Sequence, residues 1–283
     1  MTRSGIATHS TDVFGSSFLT LLNADAIERV EVYIRSKLAY ELSHLQGPFG
    51  YMEKNNLPGL SNNEYSHFIA KARQCFERCH EPFANHFRET YGDANELPPY
   101  WIVVESFDFG LVSKLHKGAP KPVRKAIANE LGVQMPVMES WLHTINAVRN
   151  MCAHHARLWN RVLGYKPIVP KGDTKWNYVR SHNDKMFAVL SILNYLLTTI
   201  APNTKWKCRL SALFEEISSD RQKPHGLSRR MADKSSLGSK RSWSDCTHES
   251  IVRHANNPWA STGPHLPSQH TTLVHFDDRT ISK

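Results

Sequence analysis

Cysteine is scarce: five among 283 residues, an odd number with no C-x-x-C spacing. That excludes a disulfide framework and a zinc ribbon, so a reducing cytoplasm is the expected compartment. Long apolar runs are missing as well. The most apolar stretch, Met186 to Ala201, contains Ser191, Asn194, Thr198 and Thr199. It is shorter than the roughly 18 to 20 residues a bilayer span requires and reads as a buried helix, so no membrane partner is expected. Between Met1 and Thr20 no apolar run is long enough for a secretory core, and Asp12 interrupts the stretch. H-E-x-x-H, Walker A, G-x-G-x-x-G and G-x-S-x-G strings are all absent, which removes the usual support for metalloprotease, nucleotide-binding and hydrolase readings. Acidic residues are outnumbered 26 to 35, a net charge of +9 that favours polyanionic partners without identifying one.

What is present is helical periodicity. Leu19, Leu22, Ala26, Val30, Ile34, Leu38, Leu42 and Leu45 step by three or four and predict one long amphipathic helix, stopped by Gly47 and Pro48. Ser61 and Glu64 form an S-x-x-E capping box ahead of a second helix that buries Tyr65, Phe68, Ile69, Ala72, Phe76 and Cys79, with Pro82 ending or kinking it. Trp101 to Val104 has β-propensity, yet Glu105, Leu111 and Leu115 continue a helical pattern. Val123, Ile127 and Leu131, closed by Gly132, mark a short helix. Pro136 then suits a first-turn position, and Trp141, Ile145, Val148 and Cys152 carry a central helix over about Val137 to Leu158. Two more follow, on Met186 to Ile200 and Trp206 to Ile217. No period-two strand series and no repeat is visible, so the fold class is all-α.

Composition divides the chain into a polar leader over 1–16, a helical domain over 17–217 and a low-complexity tail over 218–283. The tail holds twelve Ser and six His with no sustained apolar periodicity and is expected to be disordered, without a packed core. Positive charge in the body concentrates between Glu105 and Arg180, with twelve basic residues against five acidic.

The central helix lies in that basic part, and its end reads Arg149-Asn150-Met151-Cys152-Ala153-His154-His155-Ala156-Arg157-Leu158-Trp159-Asn160-Arg161. On a helix Asn150 and His154 share a face, and Arg149 is one step around with a long side chain. Cleaving RNA without a metal needs a group to take the 2′-hydroxyl proton, a donor for charge building on phosphorus and an acid for the leaving oxygen. Imidazole titrates near neutrality and guanidinium stays charged and grips phosphate with two donors. DNA lacks the 2′-hydroxyl, so such chemistry selects RNA. Against this stands the plain structural role of Arg or His at a helix C-terminus, where cations complement the dipole and cap carbonyls. The five-residue spacing alone favours the structural role.

The longer string resembles a family. Arg149-Asn150-x-x-x-His154 looks like the R-x4-6-H signature of HEPN domains, and the thirteen residues from Arg149 to Arg161 resemble the abortive-infection Abi family of the AbiD and AbiF type. Ile27-Glu28-Arg29-Val30-Glu31 with Arg35, Gly47-Pro48, Trp101 to Glu105, Phe109 to Val112 and Trp141-Leu142 match as well. The resemblance covers roughly 17–217. It implies a HEPN-like helical bundle, a homodimer, and two facing motifs that form a metal-independent endoribonuclease site with no cofactor. Arg149, Asn150 and His154 would be catalytic. Glu105 and His155 would support them, and Arg157, Asn160 and Arg161 would bind RNA. The partner is RNA, as substrate or as a structured non-coding RNA, in bacterial antiviral defence. The ends depart from the family pattern and suggest a truncated or frame-altered copy, so the alternatives are a non-catalytic RNA- or protein-binding member or an inactive product.

Two further signals are weaker. Cys75 and Cys79 lie beside His80 and near His86, but both cysteines fit a buried stripe better than a zinc site. Lys166, Lys171 and Lys175 extend the basic surface, with Trp159, Tyr165, Trp176 and Tyr178 interleaved as candidates for stacking on unpaired bases or for core packing.

Overall fold

The computed structural model describes residues 5–156, 158 and 161–222, with side-chain surroundings from 17 to 215 within that range. The chain divides into units 1–245 and 246–283, and all described residues belong to the first. The expected tail, 218–283, lies outside the described residues except for the end of the last helix.

The helices are α1 (Gly5–Gln46), α2 (Asn62–Glu77), α3 (Pro82–Tyr91), α4 (Tyr100–Val103), α5 (Phe109–Gly118), α6 (Lys121–Glu130), α7 (Met135–Ala153), α8 (Asn177–Ser181), α9 (Met186–Ile200) and α10 (Trp206–Gln222). Among the described residues no strand forms, and only Val162 and Lys185 pair as an isolated bridge. The class is all-α.

The organising element is α1. No proline interrupts its ladder between Gly5 and Gln46, so helical backbone also covers most of the stretch read as a polar leader. Leu19, Leu22, Ala26, Val30, Ile34, Leu38 and Leu42 are buried, as the stripe predicts, whereas Leu45 is exposed. The helix ends one residue later, at Gln46, and Gly47 follows with φ +77°. Around α1 pack α4, α5, α6, α7, α9 and α10, so it is the shared core of the bundle. Directional bonds fix its neighbours: Trp206 donates from Nε1 to the Leu22 carbonyl at 2.7 Å, and Tyr100 donates to Gln46 at 2.9 Å. Lys37 pairs with Glu130 at 2.8 Å.

Capping places the smaller helices. The Ser61–Glu64 box forms, with the Ser61 hydroxyl accepting from the Glu64 N–H and the Glu64 carboxylate accepting from the Ser61 N–H. Only Phe68, Ala72 and Phe76 of the six expected side chains are buried on α2. Tyr65 is half-buried because its hydroxyl reaches out to the Met52 carbonyl. Pro82 opens α3 rather than kinking α2. Trp101 to Val104 is helical, but the pattern does not run on into Leu111. A short 3-10 turn and extended Phe107 intervene, and the Asp108 carboxylate starts α5 by accepting from the Leu111 N–H at 2.8 Å.

At the other end, α7 stops at Ala153, five residues before the expected Leu158. The segment that follows is bound back onto it: Trp141 donates to the Ile168 carbonyl, and Ser140 accepts from the Ile168 N–H, both at 2.8 Å. Trp176, a stacking candidate by sequence, is instead buried against Trp141 and Tyr195. A buried aromatic of this size contributes on the order of 1.5–3 kcal/mol through burial, so this cluster anchors the segment on α7 and α9.

Candidate functional site

The end of α7 closes by a backbone device. His154 is the C-cap and His155 follows with φ +52°, the one non-glycine residue with positive φ among those described. The His155 N–H donates to the Cys152 carbonyl at 3.0 Å and the Ala156 N–H to the Met151 carbonyl at 2.9 Å. These two bonds make a Schellman motif, with a histidine in the left-handed position that glycine usually fills. The consequence is positional: His154 and His155 are held at a fixed, exposed helix end. The expectation that both sit inside a continuing helix is corrected by this turn.

Arg149 faces another way. It is half-buried, and its positive charge is felt by Glu31 of α1, by Asp108 ahead of α5 and by Cys152. Arg149 and His154 are about 140° apart around an ideal helix and about 7.5 Å apart along its axis. No hydrogen bond joins their side chains among the described residues. Asn150 is exposed on the His154 side. Within one chain, then, the motif splits into an exposed Asn150–His154 face and a half-buried Arg149 whose charge acts on Glu31 and Asp108.

Those carboxylates belong to a charged network across three helices. Glu31 pairs with Arg35 at 2.7 Å, and both side chains are largely buried. Arg35 also pairs with Glu105 at 3.2 Å and donates to the Phe107 carbonyl. Burial raises the Glu31 carboxyl above its ordinary range, with Arg35 and then Arg149 opposing the shift. For Asp108 burial also pushes upward, but the bonds from Lys71 and the Leu111 N–H, with the charges of Lys71 and Arg149, outweigh it and hold the carboxyl below its usual range. Lys71 sits 2.6 Å from Asp108. Burial drives the Cys152 thiol up to about 11, with Arg149 opposing, so it is no thiolate at neutral pH.

Glu105 is therefore part of a partly exposed ion pair with Arg35, which also pairs with Glu31, the carboxylate that feels the Arg149 charge. Arg161 is exposed. Arg157 and Asn160 lie outside the described residues, as does Trp159. Sequence reading missed Asp108 and Lys71 entirely. The available signal was an Asp immediately before an apolar helical pattern, the ordinary mark of an N-cap. Cys75 and Cys79 are half-buried, and the Cys79 carbonyl accepts from Arg88. Among the described residues no group of three His, Cys, Asp or Glu side chains could hold a metal ion. Nor is any described helix long and apolar enough to cross a membrane.

An all-α bundle with a histidine pair at an exposed helix end and a half-buried arginine one turn earlier defines the class. The Abi-like protein family model matches residues 17–160, and the chain belongs to that family. The match ends just beyond the histidines, leaving α8, α9 and α10 outside it. No curated protein and no solved structure matches the chain.

Proposed function

We propose that this protein is a metal-independent endoribonuclease acting in the abortive infection to which its family is tied in general terms. The single observation that supports it is that, within the family-matched segment, Asn150 and His154 stand exposed at the conformationally fixed end of α7, about one turn after the half-buried Arg149. His154 takes the proton of a 2′-hydroxyl, and the freed oxygen attacks the adjacent phosphorus. The 5′-oxygen leaves with a proton from a second imidazole, and the products carry a 2′,3′-cyclic phosphate and a 5′-hydroxyl. Arg149 stabilises the charge on the phosphoryl oxygens. Because Arg149 and His154 diverge within one chain, the arginine and histidine acting on one phosphate come from two copies of a HEPN-type homodimer, in the cytoplasm.

Incubating the purified chain with RNA in EDTA tests this reading. Cleavage should survive chelation, yield cyclic phosphate ends and vanish in His154→Ala. In Arg149→Ala turnover should fall by at least about a hundredfold, the scale of losing one transition-state donor, with the helical circular dichroism retained. The rival reading, in which the cluster only grips RNA, draws support from the charge of Arg149 being engaged electrostatically by Glu31 and Asp108. Binding without any cut product in the parent protein and both variants would select it.

A further inference from the structure

One face of α7 extends well beyond the histidines. His143, Ala147, Asn150 and His154 are spaced by four, three and four residues and therefore share it. His143, Asn150 and His154 are exposed and Ala147 is half-buried. At the far end the Tyr165 and His143 rings meet nearly perpendicular, with centroids 4.1 Å apart and planes at 84°. Tyr165 itself remains 56% exposed. Its chain is held on both sides: the Leu163 N–H donates to the Asp184 carbonyl at 2.8 Å, and Ile168 is bound at both its N–H and its carbonyl to Ser140 and Trp141. An exposed aromatic ring on an anchored loop, braced by a second ring, loses little freedom on taking a ligand.

The same segment, 161–185, carries six Lys and Arg against two Asp. Asp184 lies 3.9 Å from Lys166 and Asp173 caps the turn at Thr174, while Arg161, Lys171 and Arg180 are exposed. Positive charge in the same segment as an exposed aromatic ring is the pairing that single-stranded nucleic acid recognises, phosphates on the cations and an unpaired base on the ring.

We propose that Tyr165, braced by His143, is a base-stacking subsite for single-stranded RNA, on the same helix face as His154. The assignment rests on the reading of RNA as the ligand of that face. The axial rise of α7 from His143 to His154 is about 16 Å, which corresponds to about five nucleotides at a stacked spacing of about 3.4 Å. Because every base has a π-face, the subsite fixes strand position and strandedness rather than sequence. A paired duplex, whose bases are already stacked, gains nothing from it.

The test is fluorescence anisotropy of the full-length chain with a labelled 12-nucleotide unstructured RNA, alongside a blunt duplex of the same length. Tyr165→Ala should weaken single-strand binding about tenfold, the loss of roughly one stacked base, and leave duplex binding within about twofold. Tyr165→Phe, which keeps the ring and loses only the hydroxyl, should bind like the parent. An abasic position scanned along the RNA should weaken the parent at one place and have no further effect there in Tyr165→Ala, the signature of a direct pair. Equal binding by parent and Tyr165→Ala overturns the subsite while leaving the RNA reading intact. If the parent binds no single-stranded RNA, both fall. Binding that follows these expectations without cleavage keeps the subsite and removes only the catalytic reading.

Discussion

His155 shows how one residue can carry both a structural demand and a chemical opportunity. The Schellman turn requires a left-handed backbone at the position after the cap, and every L-residue with a side chain is disfavoured there relative to glycine. Replacing His155 by Gly should therefore stabilise the fold by about 1 kcal/mol, raising the melting temperature by about 2–4 °C. His155→Val, β-branched and poorly suited to positive φ, should lower it by a comparable amount. Thermal melts by circular dichroism read both directions. A stability unchanged in both variants would mean that α7 does not end in this turn in solution. Turnover of the glycine variant then separates the roles, because it removes the imidazole while improving the turn.

At the scale of elements, capping chemistry was the most readable part of the chain. The Ser61–Glu64 box, Gly47 after α1 and Gly132 after α6 all act where the residue types point, because each supplies a donor, acceptor or φ value that the helix end needs. Ser61→Ala should cost about 0.5–2 kcal/mol, seen as a lower urea midpoint with unchanged slope. No loss would mean that the Ser61 bond merely replaces one to water. The end of α7 was illegible for the converse reason. Its stop falls on histidine rather than glycine, and Leu158, buried after the turn, continues the apolar spacing past the true boundary. Trp176 was equally ambiguous: a tryptophan in a basic loop reads as surface or core, and only packing against Trp141 and Tyr195 decides. Tyr165 and Tyr178, from the same stretch, are exposed. The charged network was half legible, since Glu31, Arg35 and Glu105 belong to the family resemblance but their mutual ion pairs depend on tertiary approach. Asp108 and Lys71 carry no mark that distinguishes them in sequence from an ordinary cap and a surface lysine.

For the whole molecule, the family-matched segment is not a self-sufficient core. The α1 stripe is closed by α9 and α10, which lie beyond residue 160, so site geometry and global stability are coupled through α1. That coupling makes acid sensitivity a property of the bundle. His116 on α5 is 2% exposed and its Nε2 has no hydrogen-bond partner among the described residues. Burial, then the nearby Arg124 charge, depress its pKa to about 4. Arg124 is itself paired with Glu139 at 2.5 Å across α6 and α7. In the unfolded chain the imidazole titrates near 6.5, so below that pH the unfolded state takes up a proton that the fold refuses. The associated stability is fully present above about pH 6.5 and is lost as pH falls toward 4, with an upper bound of about 3 kcal/mol from the size of the shift. The depressed carboxyl groups of Asp108, Glu64 and Glu96 lose their contributions at lower pH, and the raised Glu31 carboxyl works the other way, since the fold takes up its proton before the unfolded chain does; between about pH 6.5 and 4.5 the destabilising term is that of His116. Urea midpoints measured across that window should fall for the parent chain and stay level or rise slightly for His116→Leu, which removes the His116 term and keeps that of Glu31. Matching slopes in the two proteins would show that the proton enters elsewhere, and that His116 is not sealed inside the bundle in solution.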